Sequence, residues 1–171
     1  DVTVQEEIDA AVETISSAGR GLYGLINNAG VAVIAPLVEV DEEDMQFQMD
    51  VNLFGPYRVT KAFAPLIIES KGRITTTGSI SRILSGFFAG PYSMSKHALE
   101  AFSDSLVFEM GTVGVRSSVI EPGPYRSNAI STNCKRRQEQ DYDPDSSLFD
   151  ELAGELAELC KSDSFPQFPE P

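Results

Sequence analysis

Tyr92-Ser-Met-Ser-Lys96 is the part of this sequence most able to do chemistry. Four residues apart on a helix, the two side chains share a face, with Cβ atoms about 5–6 Å apart. A cation beside a phenol favours the phenolate, which makes Tyr92 a usable general acid/base near neutral pH. A surface Tyr–Lys pair fits the same spacing, so the surroundings must decide. Ser79 stands thirteen residues earlier in a Ser- and Gly-rich loop. Its hydroxyl could hold a carbonyl oxygen beside Tyr92 and stabilise a developing alkoxide. Asn52 falls inside a long helical stretch, with Pro56 four residues on. Proline has no N–H to give, so the Asn52 carbonyl loses its helical partner, the helix kinks, and the freed carbonyl is available to a water. The plainer alternative is that Pro56 only bends a surface helix. His97 is the sole histidine; it points about 100° away from Lys96 on the helix and reads as exposed or satisfied. Phe87 and Phe88 precede the same helix and fit either the core or the apolar wall of a pocket.

Alternating elements must carry these residues. Thr3-Val-Gln-Glu6 has the form of a capping box, and Val4, Ile8, Ala11, Val12 and Ile15 fall on one helical face that ends at Gly19 and Gly21. Residues 22–26 form a short apolar run, expected as a buried strand, followed by the loop Asn27-Asn-Ala-Gly30. Asp41 is placed to cap one long helix through about Glu69; Gly72 marks its end and residues 73–77 are strand-like. A third helix starts near Pro91, with Ala98, Phe102, Leu106 and Met110 as its buried stripe, and stops at Gly111 and Gly114. Residues 115–120 form a further strand, closed by Pro122-Gly123. Helix, strand, helix, strand, helix, strand is the pattern of an α/β, Rossmann-like, doubly wound parallel sheet with helices on both faces. Ligands bind such sheets at the carboxyl ends of the strands, which here are Asn27–Gly30, Gly78–Ser79 and Pro122–Ser127. We expect one domain: residues 1–127 as its catalytic part, and the more polar 128–171 as a loop or lid over the site. Leu148, Leu152, Leu156 and Leu159 mark one amphipathic helix in that lid.

The bulk properties exclude several functions. A net charge of -13 over 171 residues repels phosphate backbones, which argues against nucleic acid. Cys134 and Cys160 show no metal-ligand spacing, so no metal is expected; they read as reduced thiols in a cytoplasmic protein rather than as a disulfide. No apolar run is long enough to span a bilayer. A serine hydrolase lacks its Gly-x-Ser-x-Gly elbow.

Asn27-Asn-Ala-Gly30, the in-helix Asn52, Ser79, Tyr92-x-x-x-Lys96 and Pro122-Gly123 stand in the order and spacing of the classical short-chain dehydrogenase/reductase family. The chain resembles that family over about residues 1–128. The resemblance implies an oxidoreductase that moves hydride between NAD or NADP and a secondary alcohol or ketone. It makes Tyr92 the proton donor and acceptor and Ser79 the group that positions the substrate oxygen. Lys96 would bind the nicotinamide ribose and Asn52 would hold a relay water. Asn28, Ala29 and Gly30 would lie by the adenine-side ribose. Asp1 and Val2 look like the end of a family strand whose Asp meets the adenine. Pro122 and Gly123 would flank the nicotinamide together with Ile120, Pro124 and Tyr125. Ser127 stands where the family usually has Thr, touching the carboxamide. The four-residue catalytic set resembles members that act on apolar alcohols, of steroid and retinol type. The family's Gly-rich pyrophosphate turn is absent, and so are its last strand and helix; with the catalytic set intact, this implies a fragment that alone grips cofactor poorly and is inactive. The family also implies a homodimer or homotetramer, through outward residues such as Phe63, Val107 and Phe108. The rival reading is a non-catalytic, dinucleotide-sensing or scaffolding relative of the same fold.

Overall fold

The computed structural model describes residues 1–123, 129–139 and 143–162. Its elements run α1 Gln5–Ser17, β1 Gly24–Asn27, α2 Glu42–Met49, a π-helical turn Asp50–Phe54, α3 Gly55–Glu69, β2 Arg73–Thr77, a 3-10 turn Ile80–Arg82, α4 Gly90–Gly111, β3 Arg116–Ile120, α5 Ala129–Glu139, a 3-10 turn Pro144–Ser146 and α6 Asp150–Ser162. The three strands are parallel and lie in chain order, with Asn27 beside Thr76 and Thr76 beside Val119. This is a partial Rossmann-like α/β sheet. Parallel neighbours need right-handed crossovers, and two successive crossovers in one direction put their helices on the same face. The pleat shows that face: Asn27, Ile74 and Thr76 are buried, whereas Ile26 and Ile120, on the opposite side, are 71% and 56% exposed. Among the described residues the helices therefore cover one side of the sheet. The core centres on Ile67 of α3, Ile74 of β2, Met110 of α4 and Val115, with Leu22, Leu25, Ala64 and Leu106 packed against it.

Several local expectations change in the structure. The capping box does not form: α1 starts at Gln5 after Val4, and the Thr3 hydroxyl donates to Asp1 Oδ1 at 2.9 Å. Only Ile8 of the expected α1 face is buried. The long helix over 41–69 is divided by the π-turn, where the N–H of Gly55 reaches back to the Asp50 carbonyl. Pro56 then sits in the first turn of α3, where its missing N–H costs nothing. This π-turn lies where the sequence predicts a kink at Asn52. Phe63 is buried rather than outward, while Val107 and Phe108 are exposed as expected.

The largest correction concerns the cysteines, because Cys134 and Cys160 form a disulfide with Cα atoms 5.4 Å apart. Their 26-residue separation conceals the pairing, which depends on α5 packing against α6. α5 itself was not expected, since its sequence is polar. It is held from outside: Arg136 pairs with Asp44, Asn133 Oδ1 accepts from the Ile34 N–H at 3.0 Å, and Arg137 donates to the Ile34 carbonyl at 2.7 Å. α6 lies where the leucines predict a helix, but Ala153 is its buried residue and Leu148, Leu152 and Leu159 are exposed. No described helix is long and apolar enough to cross a membrane.

Candidate active site

The three strands of the sheet end together, and the expected chemical groups collect at those ends. β2 runs out at Thr77, whose carbonyl accepts a hydrogen bond from Lys96 Nζ at 2.9 Å. Lys96 lies nearly two turns into α4 and is 5% exposed. Burial in a poorly hydrated environment penalises the ammonium and pushes its pKa down to about 8. The same nitrogen lies 5.7 Å from the centre of the half-buried Tyr92 ring. Thr77 Oγ1 donates to Asn28 Oδ1 at 2.9 Å, tying the loop after β1 to the end of β2. Gly30 faces the same space: a Cβ there would sit 3.5 Å from Asn52 Oδ1 and 4.0 Å from Lys96 Nζ. Ala29 is exposed in that loop.

Ser79 stands two residues past β2, after Gly78, and caps the 3-10 turn, its Oγ accepting from the Ser81 N–H at 3.1 Å. A hydroxyl that accepts from the backbone still has its own hydrogen to donate. The loop is pinned to β3, since the N–H of Gly78 donates to Ile120 O at 2.8 Å and that of Ile80 to Pro122 O at 3.2 Å. Pro122 and Gly123 are thereby placed beside Ser79. Pro124, Tyr125 and Ser127 lie outside the described residues.

The Asn52 side chain makes three hydrogen bonds, both its N–H donors being taken. Oδ1 accepts from the Val31 N–H at 2.8 Å, and Nδ2 donates to the Val31 carbonyl and to Ser95 Oγ, both at 3.0 Å. Ser95 Oγ donates in turn to the Tyr92 carbonyl at 2.7 Å. Gln48, one turn before Asn52, adds bonds to the Val31 carbonyl and the Val33 N–H. Gln48, Ser95 and Val31 were not singled out from the sequence. Ser95 stands at an unspecified position of the Tyr92-x-x-x-Lys96 spacing, and Gln48 carries only the signal of falling four residues before Asn52.

The remaining expected residues are placed less centrally. Val2 and Thr3 form a turn just after Asp1, with the Val2 side chain close to Gly55. His97 is exposed, its Nδ1 2.8 Å from the Ser93 carbonyl oxygen. Phe87 is 85% exposed, so it is not core. Phe88 adopts the left-handed region at φ 59, unusual for a bulky residue. Its carbonyl accepts from the Ala35 N–H, and its ring meets Phe149 edge-on at 6.1 Å.

Gly19-Arg-Gly21-Leu-Tyr-Gly24 matches the Gly-x-Gly-x-x-Gly dinucleotide pattern, but it joins α1 to β1. A pyrophosphate site needs the opposite order, strand then helix N-terminus. That run is therefore a connection, and no described residue is assigned to a pyrophosphate.

The family model for short chain dehydrogenase matches residues 1–139. The chain is 41% identical over 128 residues to the mitochondrial D-beta-hydroxybutyrate dehydrogenase of Bos taurus, covering 72% of this chain and 37% of that protein. It is 39% identical over 147 residues to the 17-beta-hydroxysteroid dehydrogenase type 6 of Homo sapiens, covering 83% and 46%. The chain thus spans less than half the length of either relative. Among solved structures, it superposes with TM-score 0.68 on the NADH-dependent reductase A1-R' complexed with NAD, at 28% identity, covering 74% of this chain and 56% of that one. A gluconate 5-dehydrogenase from Burkholderia cenocepacia, in complex with NADP and tartrate, matches with TM-score 0.71 at 25% identity, covering 95% and 68%. On this evidence the chain belongs to the short-chain dehydrogenase/reductase family.

Proposed function

We propose that the protein is an NAD(P)-dependent oxidoreductase of secondary alcohols and ketones, with Tyr92 as its general acid/base. The carrying observation is the buried Lys96 amine, held by Thr77 beside the Tyr92 ring at the strand ends. Thr77 takes one of its three N–H bonds, which leaves a buried donor suited to a ribose diol. The residues present therefore fit the nicotinamide half of the cofactor: Lys96 and Tyr92 at the ribose, Pro122 and Gly123 beside the ring, and Asn28, Ala29 and Gly30 toward the adenine side. Ser127 at the carboxamide, and Asp1 and Val2 at the adenine, remain part of this proposal. The bound cofactor accepts or supplies hydride; the protein orients it and moves the proton. In alcohol oxidation Ser79 donates its free hydrogen to the substrate oxygen. The Tyr92 phenolate takes the hydroxyl proton as hydride leaves the carbinol carbon. In reduction Tyr92 returns that proton to the new alkoxide. The charged Lys96 amine favours the phenolate, and a water at the Asn52 carbonyl would reload the proton.

The exposed Ile83, Leu84 and Phe87, beside the Phe88–Phe149 contact, support an apolar substrate under a lid made by residues 128–171. A cytoplasmic setting requires the Cys134–Cys160 pair to be reduced there, and thiol trapping in cell extracts would decide this. The activity test is a panel of D-β-hydroxybutyrate, a 17β-hydroxysteroid and retinol with NAD and NADP, using the full-length protein. Turnover of one alcohol supports the proposal. Cofactor binding without turnover across a broad alcohol panel favours the sensing relative instead.

A further inference from the structure

Arg82 ends the short turn that Ser79 begins, and it reaches two carboxylates on different elements. Its Nε lies 2.7 Å from Glu121 Oε1, directly before Pro122-Gly123, and 3.9 Å from Glu100 Oε1, one turn after Lys96 on α4. Glu100 also lies near the base of the loop: a Cβ on Gly78 would lie 3.8 Å from Glu100 Oε2 and only 2.9 Å from Val119 Cγ1. Glu100 Oε2 has no hydrogen-bond partner among the described residues, and burial raises that carboxyl's pKa above the ordinary value while Arg82 opposes the shift. Asp104 adds a third negative charge nearby. One guanidinium thus stands among three acids.

We propose that Arg82 is a positioning residue that clamps the Ser79 turn to the catalytic helix through Glu100 and to the Pro122-Gly123 loop through Glu121. An isolated exposed ion pair would be too weak to do this. Here the Arg82, Glu100 and Glu121 side chains are 31%, 19% and 33% exposed, and the tie is one of charge: both carboxylates face Arg82 Nε, which makes no hydrogen bond among the described residues. Without the cation, Glu100 and Glu121 repel each other across the site, and one lies against Gly78, next to Ser79. The turn's ties outward are then the Gly78 bond to Ile120 and the Ile80 bond to Pro122; its other bonds, Ser81 to the Ser79 hydroxyl, Arg82 to the Ser79 carbonyl, and Ile83 and Leu84 to the Ile80 carbonyl, are internal. A hydroxyl that must meet a substrate oxygen tolerates little displacement, since misplacement by about 1 Å can cost about 100-fold in rate.

The inference rests on the proposed role of Ser79 and is tested in the full-length protein by two readouts. Amide hydrogen exchange needs no substrate: Arg82→Gln should speed exchange at Gly78, Ile80 and Ser81 by about tenfold or more while the amides of α4 keep their protection, and Arg82→Lys should restore most of it. In turnover of the active alcohol from the panel above, Arg82→Gln should lower kcat by about tenfold with cofactor Kd unchanged, and on a Ser79→Ala background the same change should have little further effect. Unchanged exchange at the turn would overturn the clamp, and so would a full tenfold loss persisting without the Ser79 hydroxyl. Tyr92→Phe, run alongside, separates the two ideas. If that variant turns over normally, the proposed chemistry fails while the exchange result still judges the clamp.

Discussion

Asn52 binds Val31 as one strand binds another, its side-chain oxygen accepting from the Val31 N–H and its side-chain nitrogen donating to the Val31 carbonyl. One amide thereby hangs the loop after β1 on the π-turn between α2 and α3. Through Ser95 it also reaches the backbone of Tyr92. Asn52→Ala leaves the buried ends of these bonds unpaired, which costs about 1–3 kcal/mol for each group left unsatisfied. We expect a lower urea midpoint together with lower kcat. Equal stability of variant and wild type would show that the clamp is dispensable.

Pro56 tests the backbone of the same residue separately. Pro56→Ala restores an N–H that can compete for the carbonyl of the π-turn, but it leaves the side-chain clamp intact. The expected outcome is a lower kcat with nearly unchanged cofactor affinity and no loss of stability. An unchanged kcat removes Pro56 from the relay.

Lys96 makes stability depend on pH in a defined direction. Its folded pKa, about 8, lies below the ordinary value of 10.5, so the unfolded chain holds that proton more tightly. Unfolding takes up a proton between those values, and this contribution to stability rises with pH across that window and is flat below it. Lys96→Met should therefore stabilise the fold at pH 7, by at most about 3–3.5 kcal/mol, and the advantage should vanish near pH 10.5. It should abolish turnover at both. Destabilisation at pH 7 that does not change with pH would contradict the burial penalty.

The Cys134–Cys160 bond is expected to fasten α6 rather than the catalytic centre. With the pair changed to Ser, limited proteolysis and hydrogen exchange should open residues 144–162 first, while β1, β2 and α4 keep their protection. A disulfide closing a loop of this size typically contributes about 2–4 kcal/mol. Uniform loss of protection across the sheet would show that α6 is integral to the core.

The Tyr92, Lys96 and Ser79 spacing was readable because these residues sit on or just after elements with strong local signals: a Pro-started helix and a β-branched strand followed by Gly. What escaped depends on distant partners. α5 has little apolar periodicity and exists through Asp44 and Ile34, some ninety to a hundred residues away. The disulfide follows from that docking. The Thr3–Glu6 box failed because Asp1 Oδ1 accepts the Thr3 N–H that the Glu6 carboxylate would have taken. Arg82 carried no sequence signal, since its two carboxylates come from separate elements.

Val107 and Phe108 lie exposed on α4, at 43% and 78%. Exposed apolar surface on a long helix favours self-association. We expect the full-length protein to be a dimer or tetramer by light scattering, and Phe108→Glu to shift it toward monomer. A monomer mass at micromolar concentration for the unaltered protein would contradict the assembly.

The most direct measurement compares kcat of the full-length protein with that of its Tyr92→Phe variant, both shown to be folded and to bind cofactor equally. Phenylalanine keeps the ring and its packing and removes only the hydroxyl. A general acid/base is typically worth about 10²–10⁴-fold, so kcat should fall by at least that range. A folded Tyr92→Phe variant with near-normal turnover would contradict the account, because the proton would then be moving through some other group.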